Sequence, residues 1–278
     1  MRADLDRSAP VRRHYSRHDT EAAARAILEN GSRDALTSAA LSSFDQLHAR
    51  GFDATVEMAE ALSISCDDLI IDLGAGLGGP ARYLADRYNC TVVGVDLTPS
   101  FVRAASTLAN SLQLGGHLAF VCGSALELSF PDQAFDIVWT QHAVMNIANR
   151  PRFYNEARRV LRAGGKFACY DVLEGGNGPV HFPVPWAREP ETSFLMSPDA
   201  TQSLLSKVGF RQISWIDKSS ACAAWYARLA SNGSAGESAF RPATHLSVGA
   251  DFRELAAGMA RNIADGRAII VQAVYERD

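Results

Sequence analysis

Cysteines are few and scattered. Cys66, Cys90, Cys122, Cys169 and Cys222 are odd in number and form no C-x-x-C pair. A disulfide framework or a zinc site needs paired or closely spaced ligands. The expectation is therefore reduced, buried thiols in a cytoplasmic protein with no metal. Basic charge is also not in excess. Lys and Arg number 27 against 31 Asp and Glu, a formal net charge of −4. Binding to nucleic acid is driven by basic patches that release counterions, so no nucleic-acid partner is expected. No apolar run approaches the roughly 18 residues of a membrane span, so no membrane partner is expected either. The N-terminal stretch MRADLDRSAPVRRHYSRHDTEAAARAI carries charges where a secretory signal has an apolar core, which argues against export.

What is present is ordinary for a globular chain. Apolar residues make up 47% and charged residues 21% of 278 positions. That length suits one large domain or a domain with a cap, and it supports a core without staples. Residues 1–65 read mostly as helix; in ATVEMAEAL, Val56, Ala59 and Leu62 share a face. From Asp68 the pattern changes. DLIIDLG, TVVGVD, HLAFVC, FDIVWT and KFACYDVL are short apolar runs separated by helical periodicity. Ala81, Leu84, Ala85 and Tyr88 make one such apolar stripe, and Phe153, Ala157, Val160 and Leu161 make another. Pro151 suits the first turn of the second helix and Gly164–Gly165 its exit. Apolar strands alternating with amphipathic helices predict a doubly wound, seven-stranded, mostly parallel α/β sheet. RQISWID and AIIVQAVYER supply strands six and seven. The expected organisation is a helical cap over 1–65, a Rossmann-like core over 66–218, an inserted helical cap over 219–265, and a last core strand over 266–278. Both helical segments are expected over the ligand-binding edge of the sheet.

The most informative stretch is Asp72-Leu73-Gly74-Ala75-Gly76-Leu77-Gly78-Gly79-Pro80, between a strand and a helix. Glycines let backbone approach a ligand closely, and the helix N-terminus presents free N–H groups. Asp96 ends the second strand, 22 positions after Gly74, where an acid can accept both hydroxyls of a ribose. Gly74, Gly76 and Gly79 fit a dinucleotide fingerprint; Asp72, Gly74, Gly76 and Gly78 fit a nucleoside loop. The loop's place behind a helical lead-in favours the second reading, as does the short length left for a separate catalytic domain. A nicotinamide-dependent oxidoreductase remains the rival.

IIDLGAGLGGPARYLADRY, VVGVDLTPSFVRAA, FPDQAFDIVWTQHAVMNI and EARRVLRAGGKFACYDV follow one another in order. This series resembles the successive motifs of class I S-adenosylmethionine-dependent methyltransferases. The resemblance spans about residues 40–278, taking in FDQLHARGFDAT and HFPVPWA. Within that superfamily it is similar to the bacterial small-molecule group allied to sarcosine/dimethylglycine and tocopherol methyltransferases. The resemblance implies S-adenosyl-L-methionine as cofactor, S-adenosyl-L-homocysteine as product, and a small-molecule acceptor. Nitrogen is the first expectation for that acceptor, with oxygen and carbon as alternatives.

Positions carry over one by one. Gly74, Ala75 and Gly76 would wrap the methionine part, with Asp72 near its amine. Asp96 would hold the ribose and Leu97 would lie against the adenine. Ser124 and Ala125 would border the adenine edge, although many relatives have aspartate where Ser124 stands. Gln141 would face the methionine end, and Gln46 would reach the cofactor from the cap.

The transfer expected is an in-line displacement, so holding the reactants in line is much of the task. A histidine near working pH can take the acceptor's proton. His142 and His48 are the candidate catalytic residues. Tyr15, His181 and Trp186 are the candidate substrate contacts, the last two in the apolar, proline-rich loop GGNGPVHFPVPWA.

Overall fold

The computed structural model describes residues 2–30, 37–231 and 251–278. Four helices lead the chain: α1 (Arg2–Tyr15), α2 (Thr20–Asn30), α3 (Ser38–Asp45) and α4 (Phe52–Glu60). Strands and helices then alternate through β1 (Leu69–Leu73), α5 (Gly79–Tyr88), β2 (Thr91–Asp96), α6 (Pro99–Ser111) and β3 (Leu118–Cys122). After β4 (Phe135–Gln141) come α7 (Arg150–Val160), β5 (Leu161–Glu174), α8 (Pro198–Val208) and β6 (Phe210–Asp217). Helices α9 (Ser219–Ser231) and α10 (Phe252–Ala264) precede β7 (Ala268–Arg277).

The seven strands form one sheet in the order β3-β2-β1-β4-β5-β7-β6. Strands β1 to β5 pair in parallel, whereas β7 runs antiparallel to both β5 and β6. The doubly wound, mostly parallel sheet expected from the apolar runs is the fold.

Alternation along the strands sorts the core into two faces. Ile70, Val92, Ile137, Trp139, Tyr170 and Ile270 pack with residues of α4, α5, α9 and α10. Ile71, Leu73, Val138, Phe167, Val271 and Tyr275 pack with α7 and α8. Ala24, Leu41, Phe44, Phe101, Ala104 and Leu108 form a third cluster joining α2, α3 and α6.

Two local readings need correction. No loop separates α7 from β5, so Gly164 and Gly165 lie inside the strand and do not form the helix exit. Cys122 is exposed, because β3 is an edge strand, and Cys66 is exposed too. Cys169 is half-buried, and Cys90 and Cys222 are buried. The expectation of uniformly buried thiols therefore fails.

The Ser/Gly-rich break expected at 231–238 falls almost wholly outside the described residues. Among those described, α9 and α10 pack on each other and against β7. No helix among them is long and apolar enough to cross a membrane.

Candidate active site

The strand order reverses between β1 and β4, and the cavity opens at the carboxyl ends of these two strands, where open α/β sheets bind ligands. Its volume is about 220 Å³. The glycine loop forms one wall, residues 141–149 after β4 another, and α1 with the segment around Trp186 closes the outside.

The loop is built from backbone constraints. Gly74 has φ of +81°, and a Cβ there would stand 2.3 Å from the Ala143 Cβ. Both the left-handed backbone and the close approach exclude a side chain. The Gly74 and Ala75 N–H groups donate to the Val95 carbonyl at 2.8 and 3.1 Å. Gly76 N–H donates to Asp96 Oδ2, and Thr98 N–H to Asp96 Oδ1, each at 2.8 Å. Asp96 therefore stitches the loop to the end of β2 and opens α6. Each carboxylate oxygen keeps a lone pair for a further donor. Burial raises the Asp96 carboxyl above its ordinary value, opposed by those two N–H bonds.

Asp72 is the next-to-last residue of the adjacent strand and is buried, with Oδ2 lacking any partner. Burial first, and the nearby Asp96 charge second, push its carboxyl up to about 8. At about 8 the carboxyl is mostly protonated near pH 7, and a cationic group beside it would favour the ionised form. These acceptors fit an aminoacyl nucleoside: Asp72 would face the amine and Asp96 the ribose.

Ser124, Ala125, Leu97 and Gln141 also line the cavity. Ser124 Oγ accepts from Leu126 N–H at 3.2 Å, which shapes the turn after β3. Gln141 Oε1 accepts from Trp139 Nε1–H at 3.1 Å, and its amide nitrogen is buried with no partner.

His48 and His142 face each other, with ring centroids 6.1 Å apart. His142 has φ of +48°, unusual for a side-chain-bearing residue, and its ring stacks on Tyr170 at 5.3 Å. Its Nε2 is buried and unpartnered. Burial holds both imidazoles neutral. His48 falls to about 4, and His142 lies well below its ordinary value, where His48 also lowers it. Near pH 7 both rings can accept a hydrogen.

On the outer side, Tyr15 donates to Asn146 Oδ1 at 2.8 Å, and the Asn146 amide donates to the Trp186 and Thr192 carbonyls. Tyr15 and Trp186 thus line the cavity from α1 and from the loop after β5.

Two predicted contacts are not brought to the cavity wall. Gln46 caps α3 and turns its Oε1 to the Thr55 hydroxyl, behind His48. The exposed His181 is held by its backbone, because Asn262 bonds both its N–H and its carbonyl. Two contributors escaped sequence reading. Asn146 anchors Tyr15. Asp45, in the cavity wall, forms a fully buried ion pair with Arg82 of α5 at 2.6 Å. Asp45 also explains Gly79, where a Cβ would meet Asp45 Oδ1 at 2.6 Å. The FDQLH motif contained Asp45, yet nothing local marks it as Arg82's partner.

A sheet of this order, carrying a glycine loop stitched to an acid on the next strand, defines a nucleoside-binding α/β domain. Residues 71–169 match the methyltransferase domain family. It is 32% identical over 178 residues to a sarcosine/dimethylglycine N-methyltransferase of Halorhodospira halochloris, covering 63% of each chain. It is 30% identical over 157 residues to a protein named probable tocopherol O-methyltransferase, chloroplastic, of Oryza sativa subsp. japonica, covering 53% of this chain and 42% of that one. The chain thus spans less than two thirds of the length of these curated relatives. Its fold is similar to that of geranyl diphosphate C-methyltransferase from Streptomyces coelicolor A3(2), with a TM-score of 0.66 at 16% identity over 81% of this chain and 79% of that one.

Proposed function

We propose that the protein transfers a methyl group from S-adenosylmethionine to a small-molecule acceptor, with nitrogen the first candidate atom and oxygen or carbon the alternatives. The observation that carries the reading is the orphaned Asp72 carboxylate oxygen beside the loop that Asp96 stitches in place. When bound, the cofactor supplies a methyl group activated on a sulfonium.

The chain's own residues orient and enclose. Asp72 would pair with the amine, Asp96 would accept from the ribose, and Leu97, Ser124 and Ala125 would border the base. Gln141, whose amide nitrogen is unpartnered, would offer it to the methionine end. Phe101, Tyr15 and Trp186 give the cavity aromatic walls that exclude water and favour a cation. His48 and His142, both neutral, accept the hydrogen of the incoming nucleophile. Helices α1 to α4 serve as the cap, with the Tyr15–Asn146 bond as its clasp. The nitrogen preference is supported by the sarcosine/dimethylglycine relative, whose named acceptors are amines. The proposed compartment is the cytoplasm, which cell fractionation tests.

Calorimetric titration with S-adenosylhomocysteine, beside NAD(P) as control, tests the cofactor half of the proposal. Binding of the first and not of the second is expected; the reverse overturns it. A labelled-methyl assay across amines, phenols and carboxylates, with product mass measured, then identifies the acceptor atom.

A further inference from the structure

One buried hydroxyl joins His48 to Gln46 of the cap and to Gln141 at the end of β4. Thr55, on α4, is fully buried, and its Oγ1 lies 2.7 Å from Gln46 Oε1, 3.1 Å from His48 Nε2 and 3.2 Å from Gln141 Oε1. His48 Nε2 also lies 3.0 Å from the Gly51 carbonyl oxygen.

These distances settle which nitrogen of His48 carries the hydrogen. A carbonyl oxygen can only accept, so Gly51 biases Nε2 toward N–H without fixing it alone, and the Thr55 oxygen is the second acceptor that completes the preference. The threonine hydroxyl has a single hydrogen. Gln46 Oε1, the nearest acceptor, draws it away from the ring, leaving the Thr55 lone pair facing the same Nε2–H. Gln141 Oε1 is already served by Trp139 Nε1–H, so it does not compete strongly for the Thr55 hydrogen. Every oxygen around Nε2 therefore selects one tautomer, and Nδ1 is left without a hydrogen.

We propose that Thr55 is a positioning residue that acts through His48: with Gln46 and Gly51 it locks the ring as the Nε2–H tautomer, so that the bare Nδ1 is the nitrogen offered to the acceptor. This rests on the methyl-transfer reading for its purpose, though not for its geometry. A random mixture of tautomers would present an N–H to the nucleophile part of the time and would repel its hydrogen. The lock also gives Gln46 a role: it is the acceptor that orients the Thr55 hydroxyl, and it stands one bond behind the site it was expected to line.

Nitrogen-15 NMR of the whole chain, with histidine ring signals assigned at neutral pH, tests the lock. The wild type is expected to show a protonated-type Nε2 and a bare-type Nδ1 for His48. In Thr55→Val, which keeps the shape and removes the hydroxyl, the two shifts should converge as the second tautomer becomes populated. Thr55→Ser restores the hydroxyl and should restore the wild-type separation. A wild-type His48 protonated on Nδ1 overturns the proposal, as does a Thr55→Val spectrum identical to wild type. Should the valine variant fail to fold, the serine variant and the wild-type tautomer still decide, since loss of the separation in serine also overturns it. S-adenosylhomocysteine titration of the wild type runs alongside. No binding there removes the methyl-transfer reading and leaves the tautomer result standing.

Discussion

The two sides of the cavity are built by different means. On the cofactor side, backbone does the work: Gly74, Ala75 and Gly76 are held by the Val95 carbonyl and by Asp96, within about 25 residues of chain. On the side proposed for the acceptor, side chains meet from distant segments: His48 from the cap with Thr55 behind it, Gln141 at the end of β4, His142 just after it, Tyr15 from α1, Trp186 from the loop after β5. Backbone geometry can be specified by glycine and strand pattern alone. Side-chain assembly is free to vary, and it is where an acceptor can be chosen.

The Asp45–Arg82 pair is where the two sides are bolted together, so breaking it should give the largest effect. Both side chains are fully buried at 2.6 Å. Removing one partner strands a buried charge, a loss of about 3–5 kcal/mol. Asp45→Ala should lower stability on that scale in urea unfolding, and S-adenosylhomocysteine affinity should fall with it, because Asp45 backs Gly79. A variant that loses stability and keeps full affinity would mean the two sides are mechanically independent. Replacing both partners by apolar residues of similar size should recover most of the loss.

A pair of substitutions separates the sides directly. Asp96→Ala removes charged hydrogen bonds and should weaken S-adenosylhomocysteine binding by about 1–3 kcal/mol. His48→Ala should leave that affinity within about twofold and yet abolish labelled-methyl transfer, since its ring bonds to Gly51 and Thr55 on the acceptor side. If His48→Ala weakened cofactor binding as much as Asp96→Ala, the division would be wrong.

A third effect is a slope. Asp72 has its carboxyl raised to about 8 by burial and by Asp96. A raised folded-state value contributes stability below the unfolded value, near 4, and that contribution is lost as pH rises through about 8. His48 runs the other way. Its value is lowered to about 4, so its contribution is present above about 6.5 and is lost as pH falls toward 4. Subtracting Asp72→Asn from wild type isolates the first. Between about pH 5 and pH 8 the wild-type Tm should decline relative to the variant, and saturating S-adenosylhomocysteine, with an amine beside Asp72, should flatten the decline. Parallel curves without ligand would show that Asp72 is not the source.

The same contrast explains what could be read from the chain alone. Strands β1 to β5 announce themselves as apolar runs, and the loop by its glycines, because each signal lies within one segment. Thr55, Asn146 and the Asp45–Arg82 pair carry no such signal. Asn146 meets Tyr15 across 131 positions and Asp45 meets Arg82 across 37, while Thr55 joins the nearby Gln46 and His48 to Gln141, 86 positions away. Gln46 and His181 mark the converse error. Each is polar and near a motif, but a buried hydroxyl takes the one and an asparagine clamps the backbone of the other. Glycines 164 and 165 mislead in the same way, since a strand running directly from Leu161 absorbs them.

The smallest predicted effect tests the clasp on the acceptor side. Tyr15→Phe deletes the hydroxyl that bonds Asn146 and keeps the ring that packs on Phe101 at 5.9 Å. A single neutral hydrogen bond contributes about 1 kcal/mol. Asn146 keeps the Trp186 and Thr192 carbonyls, so the loop after β5 should stay in place. The loss should fall on α1, whose amides should exchange about five times faster in hydrogen-exchange measurements while those of β1 and α5 keep their wild-type rates. His181→Ala, which leaves the backbone clamp from Asn262 intact, should change neither. Faster exchange spreading into β1 would show that α1 supports the sheet itself, and the acceptor side would then be a structural part of the core, no longer a cap upon it.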